Sequence, residues 1–177
     1  MSYIEITAQA FGIVGLVFAI FSFQEKNNKK FFVKQALSGL MFAVNYLLIG
    51  AVAGALFNLT NLLRASLFKS GDRKPGKLII VLAAYSLCVV FSIYMTRNSI
   101  LQIVLTLIIY ISLEVMSYLM WLGSGKHIRY GQLFVSSPSW LVYNSFNFTL
   151  GGIICEILSI ISVIVSFIRY GKNGFEK

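Results

Sequence analysis

Seven apolar stretches, each about the length of one bilayer crossing, govern what this chain can fold into. They are Ile4–Phe23, Phe32–Ile49, Ala51–Phe68, Leu78–Met95, Ile100–Leu122, Tyr130–Leu150 and Gly151–Ile168. A helix needs about 20 mainly apolar residues to cross the hydrocarbon. Lipid offers no hydrogen bonds to the backbone, so a helical crossing must satisfy its own. The expected fold is all-α: a polytopic bundle of seven transmembrane helices. Composition agrees, because 58% of the residues are hydrophobic and 12% charged, against about 25% charged in a soluble domain. The same figures exclude a disordered chain, a collagen, a coiled coil and a disulfide mini-protein.

The second and third stretches adjoin without an intervening charge, as do the sixth and seventh. Each joined run is much longer than one crossing requires. The reversals are expected at Gly50–Gly54 and Gly151-Gly152, because glycine tolerates tight turns.

Charge supports the count of seven. The first link carries Lys26, Lys29, Lys30 and Lys34, and the third carries Lys69, Arg73, Lys74 and Lys77. The fifth carries Lys126 and Arg129, and the tail Arg169, Lys172 and Lys177. The second and sixth links are bare, and the fourth has only Arg97. Cytoplasmic loops collect Lys and Arg. An odd number of spans, with the N-terminus outside and the C-terminus cytoplasmic, produces this alternation. The net charge of +9 is thereby assigned to topology, and no nucleic-acid partner is expected. The first residues lack a basic n-region and a small-x-small cleavage site, so the first apolar run is expected to be a retained span.

Several strings carry no chemistry. Cys88 and Cys155 lie inside apolar runs, without metal spacing or a disulfide framework. Gly71-Asp72-Arg73-Lys74-Pro75-Gly76-Lys77 matches the glycine and lysine positions of a phosphate-binding loop. Leu78 replaces the required Ser or Thr, and a membrane helix replaces the preceding strand. Asn58-Leu59-Thr60 and Asn147-Phe148-Thr149 match the glycosylation string but lie within or beside spans. His127 lacks a second ligand nearby in sequence. No catalytic, cofactor-binding or metal-ligating set is expected, and the chain does not read as an enzyme.

A weak internal repeat is present. Phe42, Gly54 and Asn58 in the second and third spans match Trp140, Gly152 and Glu156 in the sixth and seventh, at a constant offset of 98. The two asparagines, Asn45 and Asn144, slip by one place. The pattern predicts one membrane domain, residues 1–177. A three-helix repeat (4–68), a linker helix (78–95) and a second repeat (100–168) would follow in order. An odd linker makes the repeats parallel, related by an axis along the membrane normal, with a cavity where they meet.

Ionisable groups at membrane depth are functional candidates by default. Glu156 and Glu114 are the two deep carboxylates, and Arg64 is a candidate partner. Asn58, Asn61 and Arg64 recur at intervals of three and form a polar stripe on one helix face. That stripe must face protein or water. It is either a hydrogen-bonding wall for a solute or a lock between helices. Gly50-x-x-x-Gly54 and the series Ser159, Ser162, Ser166 read as close-packing surfaces, and Pro138 should kink the sixth span.

These residues resemble a known family. The Gly12-Ile13-Val14-Gly15…Ser22-Phe23-Gln24 opening, Asn45-Tyr46-Leu47-Leu48-x-Gly50, the Asn58…Arg64 span and the Trp140…Asn144…Gly151-Gly152…Glu156…Arg169 close are similar to YgjV-type bacterial inner-membrane proteins. More distantly, the layout resembles the SWEET, SemiSWEET and PQ-loop superfamily. That likeness implies a 3+1+3 arrangement and facilitated movement of small solutes by alternating access. It also implies pocket-lining roles for Phe42 with Asn58 and for Trp140 with Glu156. Phe23-Gln24 stands where PQ-loop proteins have Pro-Gln, and Glu156 stands where SWEETs have a second Asn.

The expected function is therefore a small-solute transporter of the bacterial inner membrane. Asn58, Glu156, Trp140, Asn144, Phe42 and Asn61 would line its site. Trp140 would stack on the solute, the amides would hydrogen-bond it, and Glu156 would bind a cation or a coupling proton. The expected partners are the lipid bilayer and a small polar or cationic solute, and a homo-oligomer is compatible with the sequence. The alternative is a structural or partner-binding membrane protein that transports nothing.

Overall fold

The structure is a computed structural model that describes residues 2–23, 28–68, 70–123 and 125–170. Gln24 and Lys26 of the opening, Lys69 of the third link, and Lys172 and Lys177 of the tail lie outside the described residues. Seven helices run through the rest: α1 (Tyr3–Phe23), α2 (Asn28–Leu48), α3 (Val52–Phe68), α4 (Pro75–Met95), α5 (Ile100–Leu122), α6 (125–146) and α7 (Leu150–Tyr170). The described residues contain no strand.

Four helices are long and apolar enough to cross a bilayer on those grounds alone: α1, α4, α5 and α7. The other three deviate for legible reasons. α2 begins in the basic link at Asn28, ahead of the apolar boundary at Phe32. α3 has 17 residues, about 25 Å at 1.5 Å per residue, slightly short of the hydrocarbon thickness. α6 is composite: about two α-helical turns (Gly125–Gly131), a π-helical segment (Gln132–Ser136) and a second α-helical length (Ser137–Phe146). Pro138 explains the join. It has no backbone N–H, and the chain widens in the turn before it, where the Ser137 N–H bonds the Gln132 carbonyl.

Local chemistry sets the helix ends. Pro75 occupies the first turn of α4, where no N–H partner is needed. The Ser99 hydroxyl accepts from the Gln102 N–H at the start of α5, and Gly123 closes that helix in the left-handed conformation at φ 69°.

The α2–α3 and α6–α7 reversals have the same backbone hydrogen bonds, 98 residues apart. In the first, the Ala51 N–H bonds the Tyr46 carbonyl at 2.8 Å and the Gly50 N–H bonds Leu47 at 3.1 Å. In the second, Thr149 bonds Asn144 at 3.0 Å and Phe148 bonds Ser145 at 3.3 Å. Both are Schellman caps, which place one residue at positive φ. Gly50 takes that position in the first, at 76°, and Phe148 in the second, at 52°. The expectation that Gly151-Gly152 form the second reversal is corrected here: both lie inside α7. A Cβ on Gly151 would strike the Gly12 backbone of α1, and one on Gly152 would strike the Asn144 side chain. These glycines serve close approach. Gly50 conversely serves the turn and not helix packing, since a Cβ there would meet nothing within 4 Å.

The helices pack in a ring. α2 lies between α1 and α3, α6 lies between α5 and α7, α1 meets α7, and α3 meets α5. α4 packs outside, bridging α3 and α5. The core is aromatic and polar as well as aliphatic. Phe57, Tyr85, Tyr143, Ile109, Asn45 and Asn144 are almost completely buried. The outward faces are apolar, with Leu87 and Val90 of α4 and Ile168 of α7 exposed to their surroundings.

Candidate functional site

The ring surrounds a half-open cavity of about 610 Å³, within the size range of small-molecule sites. Its lining runs from Tyr46, Asn144 and Gly152, next to the two Schellman caps, to Phe68, Met120 and Ile128 at the opposite end, beside the basic links. All six sequence-predicted site residues, Phe42, Asn58, Asn61, Trp140, Asn144 and Glu156, line this one cavity. They come from four helices, α2, α3, α6 and α7.

Most of the polar lining also bonds within the protein. Asn58 Nδ2 donates to the Gly54 carbonyl at 2.9 Å. The Tyr85 hydroxyl donates to Asn61 Oδ1 at 2.6 Å. Arg64 Nη1 donates to Ser117 Oγ at 3.3 Å, and its guanidinium lies 5.9 Å from the Tyr85 ring centroid. The polar stripe on α3 thus faces both the cavity and the helices beside it.

Glu156 differs. Its Oε2 is buried without a hydrogen-bond partner, and so is Arg64 Nε. Arg64 pairs with neither deep carboxylate: among the described residues Asp72 pairs with Lys74 and Lys77, and Glu114 Oε1 is likewise buried without a hydrogen-bond partner. Glu114, the other deep carboxylate, lies on α5 outside the cavity lining.

The end of the cavity near the caps is sealed. The Tyr46 hydroxyl donates to Asn144 Oδ1 at 2.5 Å across the ring. The Gly54 N–H donates to the Tyr143 hydroxyl oxygen at 2.8 Å. Tyr46 and Trp140 have ring centroids 5.9 Å apart, and Trp140 meets Tyr143 edge-on, also at 5.9 Å. Trp140 is therefore mostly enclosed by other aromatics, with 7% of its surface accessible. Beyond this plug lies a second cavity of about 640 Å³, lined by Glu5, Gln9, Asn147 and Phe148 among others. The two cavities share no lining residue.

Sequence reasoning missed Tyr46 as a site residue. The signal was present: Tyr46 and Asn144 are 98 residues apart, as are Asn45 and Tyr143. The one-place slip of the two asparagines sets amide and phenol in opposite order at positions 98 apart, Asn45-Tyr46 against Tyr143-Asn144. Ser38 and Ser136 are a further such pair, both buried and both lining the cavity.

Seven helices, four of them apolar spans, a lipid-compatible exterior and a polar interior cavity define a multi-pass integral membrane protein. Comparison with known families carries this further. The chain belongs to the Imp-YgjV family, described as bacterial inner membrane protein, whose model matches residues 6–174. No curated protein and no solved structure matches the chain.

Proposed function

We propose that this inner-membrane protein moves small polar solutes by alternating access between two three-helix repeats, α1–α3 and α5–α7, with α4 as the return crossing. One observation carries the reading. Five pairs of residues, each pair 98 apart, line the same cavity: Ser38 with Ser136, Phe42 with Trp140, Tyr46 with Asn144, Asn58 with Glu156, and Asn61 with Ser159. Residues related by a two-fold axis touch only on that axis, and Tyr46 bonds Asn144 directly. Among the six helices of the two triplets, the contacts are also unchanged when α1, α2 and α3 are exchanged for α5, α6 and α7, since the α1–α7 contact becomes α5–α3; α4, which packs on α3 and α5, stands outside this symmetry. A cavity on the axis between two repeats is where a transporter of this architecture binds its cargo.

In this reading the N-terminus faces the periplasm and the basic links face the cytoplasm. The cavity is accessible from the cytoplasmic side, and the plug of Tyr46, Trp140, Tyr143 and Asn144 is the closed outer gate. Phe42 and Trp140 give apolar walls. Asn58, Asn61 and Asn144 supply hydrogen bonds, and Glu156 binds a cationic group or a coupling proton. These roles bind and orient, and none makes or breaks a covalent bond in the cargo.

The alternative, a protein that transports nothing, draws on the bonds of Asn58, Asn61 and Arg64 to neighbouring groups, which lock α3 in place. Uptake into proteoliposomes separates the two. The purified chain would be given a panel of sugars, amino acids and polyamines with and without a pH gradient. Transport predicts saturable, pH-dependent uptake of one class, lost in Glu156→Gln although the variant still inserts. Uptake unchanged in Glu156→Gln removes the role of that carboxylate. No uptake by the native chain, with Asn58→Ala lowering only the yield of folded protein, favours the structural role.

A further inference from the structure

We propose that the cavity is built for zwitterions of the α-amino-acid class, with Glu156 holding the ammonium group and Arg64 the carboxylate. This rests on the reading of the cavity as a solute site and names its substrate class. Among the described residues that line the cavity, Glu156 and Arg64 alone carry a formal charge. The two charges cancel in sum but do not pair, and each side chain keeps one buried polar atom without a partner. Unpaired charge within a membrane protein is costly and marks a substrate path. A monocation would satisfy Glu156 and leave Arg64 unanswered. A monoanion would do the reverse, and a neutral sugar would answer neither. A zwitterion answers both.

Placement fits the assignment. Asn58 and Glu156 occupy paired positions in the two repeats, and Arg64 lies six residues along α3 from Asn58. Six residues of helix rise about 9 Å. The charges therefore stand at two levels, Glu156 nearer the aromatic plug and Arg64 nearer the basic end. The span is within reach of two flexible side chains closing on one small molecule. Arg64 is steered by Ser117 and by the Tyr85 face, and its planar fork matches a carboxylate better than an ammonium would. Phe42 and Trp140 line the same cavity, which favours amino acids with apolar or aromatic side chains.

The test is binding to the detergent-purified full chain, measured by calorimetry. The probes are leucine, methionine, phenylalanine and tryptophan, each with its decarboxylated amine and its deaminated acid, and glucose. A hydrogen bond to a charged group contributes enough that losing one anchor weakens binding about tenfold or more. At least one amino acid should bind, with both of its single-charge analogues about tenfold weaker or worse. Glu156→Gln should remove the advantage over the deaminated acid. Arg64→Gln should remove the advantage over the amine, and Arg64→Lys should restore part of it. Should a variant fail to fold, the analogue series on the native chain still decides. An amine or acid that binds as tightly as its amino acid overturns the proposal. So does binding of glucose alone, or of no amino acid. Binding without flux in proteoliposomes leaves the zwitterion site standing and sinks transport. Flux of a sugar untouched by Arg64→Gln sinks the zwitterion site and leaves transport standing.

Discussion

The two Schellman caps offer a controlled test of the repeat, because they place different residues in the same left-handed position. Gly50 takes it at φ 76° and Phe148 at φ 52°. A residue with a Cβ pays about 1–2 kcal/mol to sit there. Replacing glycine by alanine recovers about 0.4–1 kcal/mol through the less flexible unfolded chain. Gly50→Ala should therefore destabilise by a net of about 0.5–1 kcal/mol. Space around the residue does not complicate the reading, since an added Cβ at Gly50 meets nothing within 4 Å. Phe148→Gly should move stability the other way by a similar amount. Phe148 is 78% exposed, so little packing is lost with its ring. The clamp on this turn survives the change, because it uses backbone atoms. Gln9 Nε2 donates to the Phe148 carbonyl at 2.5 Å, and the Leu150 N–H donates to Gln9 Oε1 at 3.0 Å. The assay is reversible unfolding in mixed micelles by titration with a denaturing detergent, with circular dichroism as the readout. Opposite signs are expected. If Phe148→Gly lowers stability as much as Gly50→Ala, the backbone argument fails and the ring must be contributing contacts of its own.

Other outcomes follow from the same geometry. Tyr46→Phe removes the donor to Asn144 Oδ1 in a buried site, which should cost about 1–3 kcal/mol by leaving that acceptor unpaired; the same unfolding assay reads it. It should also loosen the sealed end, seen as faster labelling of Cys155, which lines the cavity on the inner side of the plug, by an impermeant thiol reagent added from the side of the two caps. Gly151→Ala should be far more damaging than Gly76→Ala, since the first drives a Cβ into the Gly12 backbone and the second meets nothing; folded yield by size exclusion compares them. Asp72 is held down to about 2 by hydrogen bonds from Lys77 and Ser70. Its contribution to the α3–α4 link is therefore full above its unfolded pKa of about 3.9 and fades as pH falls toward about 2. Limited proteolysis of the link should rise over that acid range in the native chain and be pH-independent there in Asp72→Asn.

Much of the architecture was legible because lipid narrows the choices. A chain that must hide its backbone in apolar helices reports each one as a hydropathic run, so all seven helices were anticipated within a few residues at most ends. The exceptions are instructive. α2 and α6 extend past their apolar boundaries because helix continues wherever the backbone can, whether or not the side chains belong in lipid. Glycine marks turns and so points to Gly151-Gly152 for the second reversal, yet the turn uses Phe148. Here the demand for close contact with α1 and Asn144 claimed the glycines instead. The π-segment before Pro138 was read only as a kink.

The site was partly legible too. Polar residues at membrane depth are rare enough to single out Asn58, Asn61 and Glu156, the internal repeat added Phe42, Trp140 and Asn144, and all six line one cavity. The exchange between Asn45-Tyr46 and Tyr143-Asn144 was not read, because a paired position can keep its job while the residue types trade places. Nor could spacing reveal that Glu156 and Arg64 stay apart.

Hydropathy and charge, by themselves, determined that this chain lives in a bilayer as a helical bundle, and the offset of 98 pointed to which residues to compare between its two ends. Those properties are one-dimensional: each is written in consecutive residues or in a constant interval. Which helices touch, where the cavity lies, which of its polar groups are already spoken for and which are left waiting were decided only by the tertiary structure. Such outcomes depend on distances between residues far apart in the chain, and a side chain's partner is chosen by whatever the packing brings within about 3 Å of it.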